Sequence, residues 1–256
     1  MSDDQHLAPQ PRWPELVQKI RSTTPARIFV GRGAAYTTQM SLELREAHAS
    51  AVDAVWTEFE LQKDFPADFV SRWQLFQVSS RAESKSQFLL RPNLGRKLSG
   101  AAENLIVERC PKAPDLQILI GDGLSVAALS EQVPTLFELL QQKARANGWS
   151  VGQTFAVRYC RVGVMNNVGD LLAPRVLLLL IGERPGLATA VSLSAYMAYC
   201  PRSGNTDAER NLISNIHARG VCVEEAADRI INLASRMMAL KRSGTTLKES
   251  TEQLEY

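Results

Sequence analysis

Leu116-Gln117-Ile118-Leu119-Ile120-Gly121-Asp122-Gly123 is a nearly all-apolar run that stops at a glycine followed directly by a carboxylate. A second run of the same form, Val176 to Ile181, stops at Gly182-Glu183-Arg184-Pro185-Gly186. Runs this short and this apolar read as strands buried on both faces, as in a parallel sheet covered by helices. From Asp115 onward, strand-like and helix-like segments broadly alternate, so the fold expected is α/β, with a Rossmann-like, mostly parallel sheet flanked by helices. Ligands of such sheets lie beyond the carboxyl ends of the strands, which places Asp122 and Glu183 to face one crevice.

Outward from these strands, Pro134 sits where a first helical turn tolerates proline. Leu136, Leu139, Leu140 and Ala144 then form one stripe, and Gly148 supplies the stop. Further strands are expected over residues 155–162 and 193–200. Residues 224–240 make the clearest amphipathic helix, with Ala227, Ile230, Ile231, Ala234 and Met238 on one face and Gly244 beyond its end. Before Asp115 the pattern is mainly helical. Residues 40–59 carry Leu44, Ala47, Ala51 and Val55 at helical spacing, a short helix is expected around 67–76, and another over 100–109 after the turn signal Arg91-Pro92-Asn93. Residues 27–30 read as a brief strand. Pro9 and Pro11 among polar residues mark a flexible arm. The expected organisation is therefore an arm (1–12), a mainly helical N-terminal part (13–110) and a Rossmann-like domain (111–256).

With 256 residues and 45% hydrophobic content, the chain can bury a sizeable core without disulfides or metals. A net charge of +2 argues against a general nucleic-acid or membrane partner, although Arg91, Arg96 and Lys97 form a local basic cluster. Cys110, Cys160, Cys200 and Cys222 are widely spaced with no C-x-x-C pair, and there are only three histidines, so a structural zinc site is not expected. The N-terminus is polar rather than a signal core, and no aliphatic run is long enough to span a membrane. A reducing, cytoplasmic setting fits, with the cysteines as small core residues.

Gly31-Arg32-Gly33 follows a strand-like run, but Tyr36 replaces the third glycine of G-x-G-x-x-G, and an ordinary turn is the better reading. There is no Walker A lysine motif. Taken singly, Asp122 and Glu183 read as well as turn or capping acids as they do as ligand groups. Their shared location at strand ends, with Ser125 and Arg184 nearby as hydrogen-bonding groups, tilts toward a ligand site. His217 lies in Asn215-Ile216-His217-Ala218-Arg219-Gly220, where a cobalt-ligating D-x-H-x-x-G would need aspartate at 215. Asparagine cannot supply the carboxylate that makes such a histidine more basic, so a structural role is expected for His217.

At Ile120-Gly121-Asp122-Gly123-Leu124-Ser125, Val157-Arg158-Tyr159, Gly182-Glu183-Arg184-Pro185-Gly186-Leu187 and Ile213-Ser214-Asn215-Ile216-His217, the chain closely resembles the small subunit of ethanolamine ammonia-lyase. Phe88 to Leu98 also matches, through Arg91-Pro92 and Gly95-Arg96, and the resemblance runs in order from about Ala26 to Gly244. It implies a subunit of an adenosylcobalamin enzyme that converts ethanolamine to acetaldehyde and ammonia. The large subunit would carry the substrate pocket and the catalytic residues, and this chain would close over the cofactor at the interface. The cofactor contacts that the resemblance carries over are Val162, in the strand after Tyr159, Glu183, and position 212, often cysteine in the family but Leu212 here. Some members have a longer N-terminal extension than the segment preceding Ala26, so the implied location is cytoplasmic, either free or inside a bacterial microcompartment. Cobalamin supplies the reactive cobalt–carbon bond and asks the protein to hold it, a task that suits groups at strand ends. The competing reading is a stand-alone binding module for a nucleotide-like ligand.

Overall fold

A computed structural model describes residues 13–23, 36–186 and 189–249. The strand expected at 27–30, Gly31-Arg32-Gly33 and the arm at 1–12 lie outside them. In chain order the elements are α1 (Trp13–Thr23), α2 (Thr38–Trp56), α3 (Leu61–Asp64), α4 (Ala67–Arg72), β1 (Phe76–Ser79), α5 (Lys85–Leu90), α6 (Gly100–Arg109), β2 (Leu116–Gly121), α7 (Val126–Ala146), β3 (Phe155–Arg158), α8 (Val164–Leu172), β4 (Val176–Gly182), β5 (Leu193–Tyr199), β6 (Asn211–Ile216) and α9 (Val223–Leu240). The described chain is α/β, with one six-stranded sheet in the order β1-β3-β2-β4-β5-β6. β1, β3, β2 and β4 run parallel, β5 pairs antiparallel with β4, and β6 antiparallel with β5.

The two apolar runs are the central strands β2 and β4, and every residue of both is buried. Successive side chains of a strand point to opposite faces. Accordingly Ile118, Ile120, Leu178 and Leu180 join one cluster with Leu136 and Leu140 of α7 and Ile230 and Ala234 of α9. Leu119, Leu177, Leu179 and Ile181 join the opposite cluster with Ile106 of α6 and Val164, Val168 and Leu172 of α8. Each such side chain contributes about 1.5–3 kcal/mol on full burial, so covering both faces drives the fold. Because α7 leaves β2 toward one face and α8 leaves β3 toward the other, the loops after these adjacent strands part and open a crevice at the carboxyl edge.

Three expectations need correction. α7 starts at Val126, not at Pro134, because Ser125 caps it by accepting the Ala128 N–H at 3.2 Å; Pro134 is tolerated inside a long helix held by ten buried side chains. The strand expected over 155–162 ends at Arg158, and the chain turns through 161–163 into α8. The helix expected over 67–76 stops at Arg72, and Phe76 instead opens β1. Cys110 and Cys160 are buried as expected, and desolvation lifts both thiols, Cys110 to about 11, but Cys222 is exposed. Among the described residues no helix is long and apolar enough to cross a membrane.

Candidate functional site

The crevice is framed by the loops that follow β2, β3 and β4. Asp122, directly after β2, does not face it. Its side chain is fully buried and reaches sideways under the loop after β3, where Oδ2 accepts the Tyr159 N–H and Oδ1 the Cys160 N–H, each at 2.7 Å. Tyr159 has φ +57°, a left-handed conformation that a non-glycine residue adopts only when its surroundings hold it. Burial pushes the Asp122 carboxyl up to about 6, against the pull of those N–H groups and of the Lys85 ammonium. Lys85 is itself buried, its Nζ has no hydrogen-bond partner among the described residues, and desolvation lowers its pKa despite the attraction of Asp122 and Glu58.

The same loop is braced from outside. The Arg161 N–H donates to Gly95 O at 2.8 Å, and its guanidinium stacks on Phe88, 4.2 Å from the ring centroid. Glu58, just beyond α2, pairs with Arg158 at 2.7 Å and accepts the Tyr159 hydroxyl at 3.1 Å. Val162 is therefore presented from a rigid turn at the mouth of α8.

Glu183, at the end of β4, does reach the crevice. Its Oε1 accepts the Ser194 hydroxyl at 2.6 Å and the Asn215 N–H at 2.8 Å, tying β4 to β5 and β6. Oε2 accepts no hydrogen bond among the described residues, so a bound hydroxyl or amide can donate to it. Val162, Glu183 and Leu212 line one cavity of about 350 Å³, together with Leu124, Arg161 and Tyr196. The structure thus brings together the three residues singled out in the sequence. Arg184 lines the cavity too, whereas Ser125 does not: its hydroxyl is buried, caps α7 and donates to Ala190 O.

Arg161, Ser194 and Tyr196 were not picked out from the sequence. Ser194 and Tyr196 alternate along β5, a period-two signal that could have placed both on the crevice face once the strand was known. Burial raises the Tyr196 phenol, helped by the negative charges of Asp207 and Glu183, so it stays a neutral hydroxyl.

His217 has the structural role expected of it. It is buried, Nδ1 accepts the Arg219 N–H at 3.2 Å, and Nε2 lies 2.8 Å from Asn215 Oδ1, so both ring nitrogens are engaged within the turn. Among the described residues no cluster of three or more His, Cys, Asp or Glu side chains could hold a metal ion.

Residues 14–248 match the family model described as ethanolamine ammonia-lyase light chain. The chain belongs to the ethanolamine ammonia-lyase small-subunit family. It is 39% identical over 245 residues to the ethanolamine ammonia-lyase small subunit of Clostridium perfringens, which covers 95% of this chain and 81% of that one. Against the protein of the same name from Clostridium acetobutylicum it is 35% identical over 235 residues, 91% of this chain and 95% of that one. The Fusobacterium nucleatum small subunit is 38% identical over 231 residues, 90% of this chain and 76% of that one.

The blocks that carry the small-subunit resemblance, scattered in sequence, converge in space. Gly121-Asp122, Arg158-Tyr159 and Phe88 with Gly95 all hold the 159–163 loop. Gly182-Glu183 and Asn215 meet at the Glu183 carboxylate. The blocks quoted for the resemblance therefore form, for the most part, the framework of this crevice.

Proposed function

We propose that this chain is the cofactor-clasping subunit of an ethanolamine ammonia-lyase, holding adenosylcobalamin against a large subunit that carries the catalytic residues for converting ethanolamine to acetaldehyde and ammonia. The observation that carries the proposal is the convergence of Val162, Glu183 and Leu212 on one crevice at the topological switch point. When bound, the cofactor supplies a cleavable cobalt–carbon bond.

The residues present fit such a group. Its periphery is a ring of amides around an apolar macrocycle, and the crevice offers Leu124, Val162 and Leu212 as apolar contacts beside the open Glu183 Oε2 as an acceptor. A contact at 212 acts here by packing, since leucine has no thiol. His217 is fully engaged in its turn, so it offers no ligand to cobalt. A partner subunit is supported by an apolar groove that borders the crevice through Leu124 and Arg184, where Val52 and Trp56 of α2 stand about half exposed. The role given to the small subunit is orientation and exclusion of water, with radical chemistry left to residues of the partner.

Mixing the chain with its cognate large subunit is expected to give a stable hetero-oligomer with cobalamin-dependent deaminase activity. A chain that stays monomeric and yields no activity would leave the nucleotide-like binding module as the reading. Within the complex, Glu183→Ala is expected to raise the cobalamin concentration for half-maximal activity about ten-fold or more, the loss of one hydrogen bond to a charged acceptor. An unchanged requirement removes Glu183 from the site.

A further inference from the structure

Beyond Val162 the crevice opens into a second, larger cavity of about 760 Å³, with Arg161, Val162 and Tyr196 in the shared wall. Its character is different. Arg81, Arg96, Lys97, Arg161 and Arg210 line it, and the only carboxylate among the described lining residues is Asp207, which is already paired with Arg210. Arg96 and Lys97 have no ion-pair partner among the described residues. Among the described residues the Nε of Arg161 and of Arg210 has no acceptor but is itself buried, and Arg210 gives its terminal nitrogens to Asp207 and Asn166. Cations drawn together around one cavity, with no unpaired carboxylate among its described lining residues, make an anion-binding lining. Burial and the neighbouring charge of Arg184 lower the pKa of Arg161, against the opposing pull of the Asp122 carboxylate.

Most of the crevice's proposed ligand is uncharged. Cobalamin carries amides around its macrocycle, and its one ionised group is the phosphodiester of the nucleotide loop. Resting on the cofactor reading above, we propose that this basic chamber is a phosphodiester subsite, in which Arg96, Lys97 and Arg161 receive the anionic arm of the cofactor whose body lies in the adjoining crevice. Arg161 then serves both cavities. Its stack on Phe88 and its N–H bond to Gly95 hold it in place before the ligand arrives, which limits the entropy lost on binding. The stem of Arg96 packs on Gly163 at the start of α8, which anchors a second cation at the rim. Asn167, Ser203 and Thr206 also line the chamber, their side-chain donors already given to Glu103, Asp170 and Glu209.

The test uses the complex with the large subunit and two probes, cobalamin and cobinamide, which lacks the phosphodiester, ribose and base. Binding is read by equilibrium dialysis with absorbance detection at several salt concentrations. Arg96 and Lys97 are exposed, so the R96Q/K97Q double variant should fold as the parent does, and K97Q alone serves as a milder second variant. The double variant is expected to lose cobalamin affinity about ten-fold or more while cobinamide affinity changes less than about two-fold. The salt dependence of cobalamin binding should flatten in the variant. Inorganic phosphate should compete with cobalamin and not with cobinamide. Equal losses for both probes, or no loss for either, would overturn the subsite while leaving the cofactor reading standing. Phosphate binding that is weakened by the substitutions but does not compete with cobalamin would make the chamber a site for a free anion and overturn the assignment to the cofactor. A wild-type complex that binds neither probe would overturn the reading on which the subsite rests.

Discussion

Replacing Asp122 with alanine is expected to destabilise the folded chain by about 3–5 kcal/mol, since two buried N–H groups lose their acceptor at about 1–3 kcal/mol each. The carboxylate is fully buried and satisfies the Tyr159 and Cys160 N–H groups. Alanine would leave both donors orphaned in a dry environment and strip the buried Lys85 ammonium of a counter-charge. Tyr159, held at positive φ, would relax and carry Arg161 and Val162 with it. Urea unfolding should therefore show a lower midpoint, and cobalamin binding by the complex should weaken even though Asp122 touches no ligand. A variant with unchanged stability would show that the loop is held by Glu58, Phe88 and Gly95 alone.

The pH dependence gives the same carboxylate a second, opposite signature. Its folded pKa of about 6 lies above the ordinary value of 3.8, so between about pH 4 and 6 the folded state binds more protons than the unfolded state. Stability from this group is then fully present at the acid end and falls as pH rises, by about 3 kcal/mol in all, levelling off above pH 6. The groups facing it are Lys85, Tyr159 and Cys160, with Glu58, Arg158 and Arg161 close by. Asp122→Asn keeps one acceptor and cannot titrate. The stability difference between wild type and this variant should therefore shrink as pH rises through the window. A difference that widens instead would mean that the N–H bonds and Lys85 outweigh desolvation and that the folded pKa lies below the unfolded one.

Asp122 and Glu183 also show what a sequence can and cannot reveal. Both follow an apolar strand and a glycine, and the local sequence does not distinguish them. β2 has the parallel strands β3 and β4 on either side, so Asp122 meets the N–H groups of a loop emerging beside it. β4 borders an antiparallel strand, so Glu183 meets Ser194 near the start of β5 and Asn215 near the end of β6, and keeps an oxygen for the crevice. Strand order decides the difference, and strand order is not local. What was legible was local: the buried pair β2 and β4, the stripe of α9, and the constraint on His217 from its neighbour at 215. What was not legible had weak or conflicting local signals. α8 is a short apolar helix for which the sequence analysis offers no element, β6 shows the broken burial pattern of a strand at the sheet edge, and Pro134 outweighs the cap at Ser125. Val162, Glu183 and Leu212 came from a resemblance; their meeting in one cavity needed the fold.

Gly182→Ala is expected to lower the thermal midpoint by about 10 °C, corresponding to about 3 kcal/mol in a chain of this size. A Cβ at 182 would lie 2.0 Å from Ser125 O, 2.8 Å from Ser125 C and 2.9 Å from Asp122 O. These are backbone atoms of the turn into α7, and Leu124 N–H donates to Gly182 O at 3.1 Å, so neither side can swing away as a flexible side chain would. The end of β4 and the turn after β2 must separate, and that separation opens the floor of the crevice between Leu124 and Glu183. Gly100→Ala is the matched control, since nothing lies within 4 Å of a Cβ there and the residue opens α6. It should be neutral or slightly stabilising, because alanine restricts the unfolded chain. The functional consequence separates packing from contact: Gly182→Ala should weaken cobalamin binding in the complex together with cobinamide binding, because it displaces the body of the site rather than the basic chamber. Near-normal affinity for both in a destabilised variant would show that the contact between β4 and the α7 turn serves stability alone.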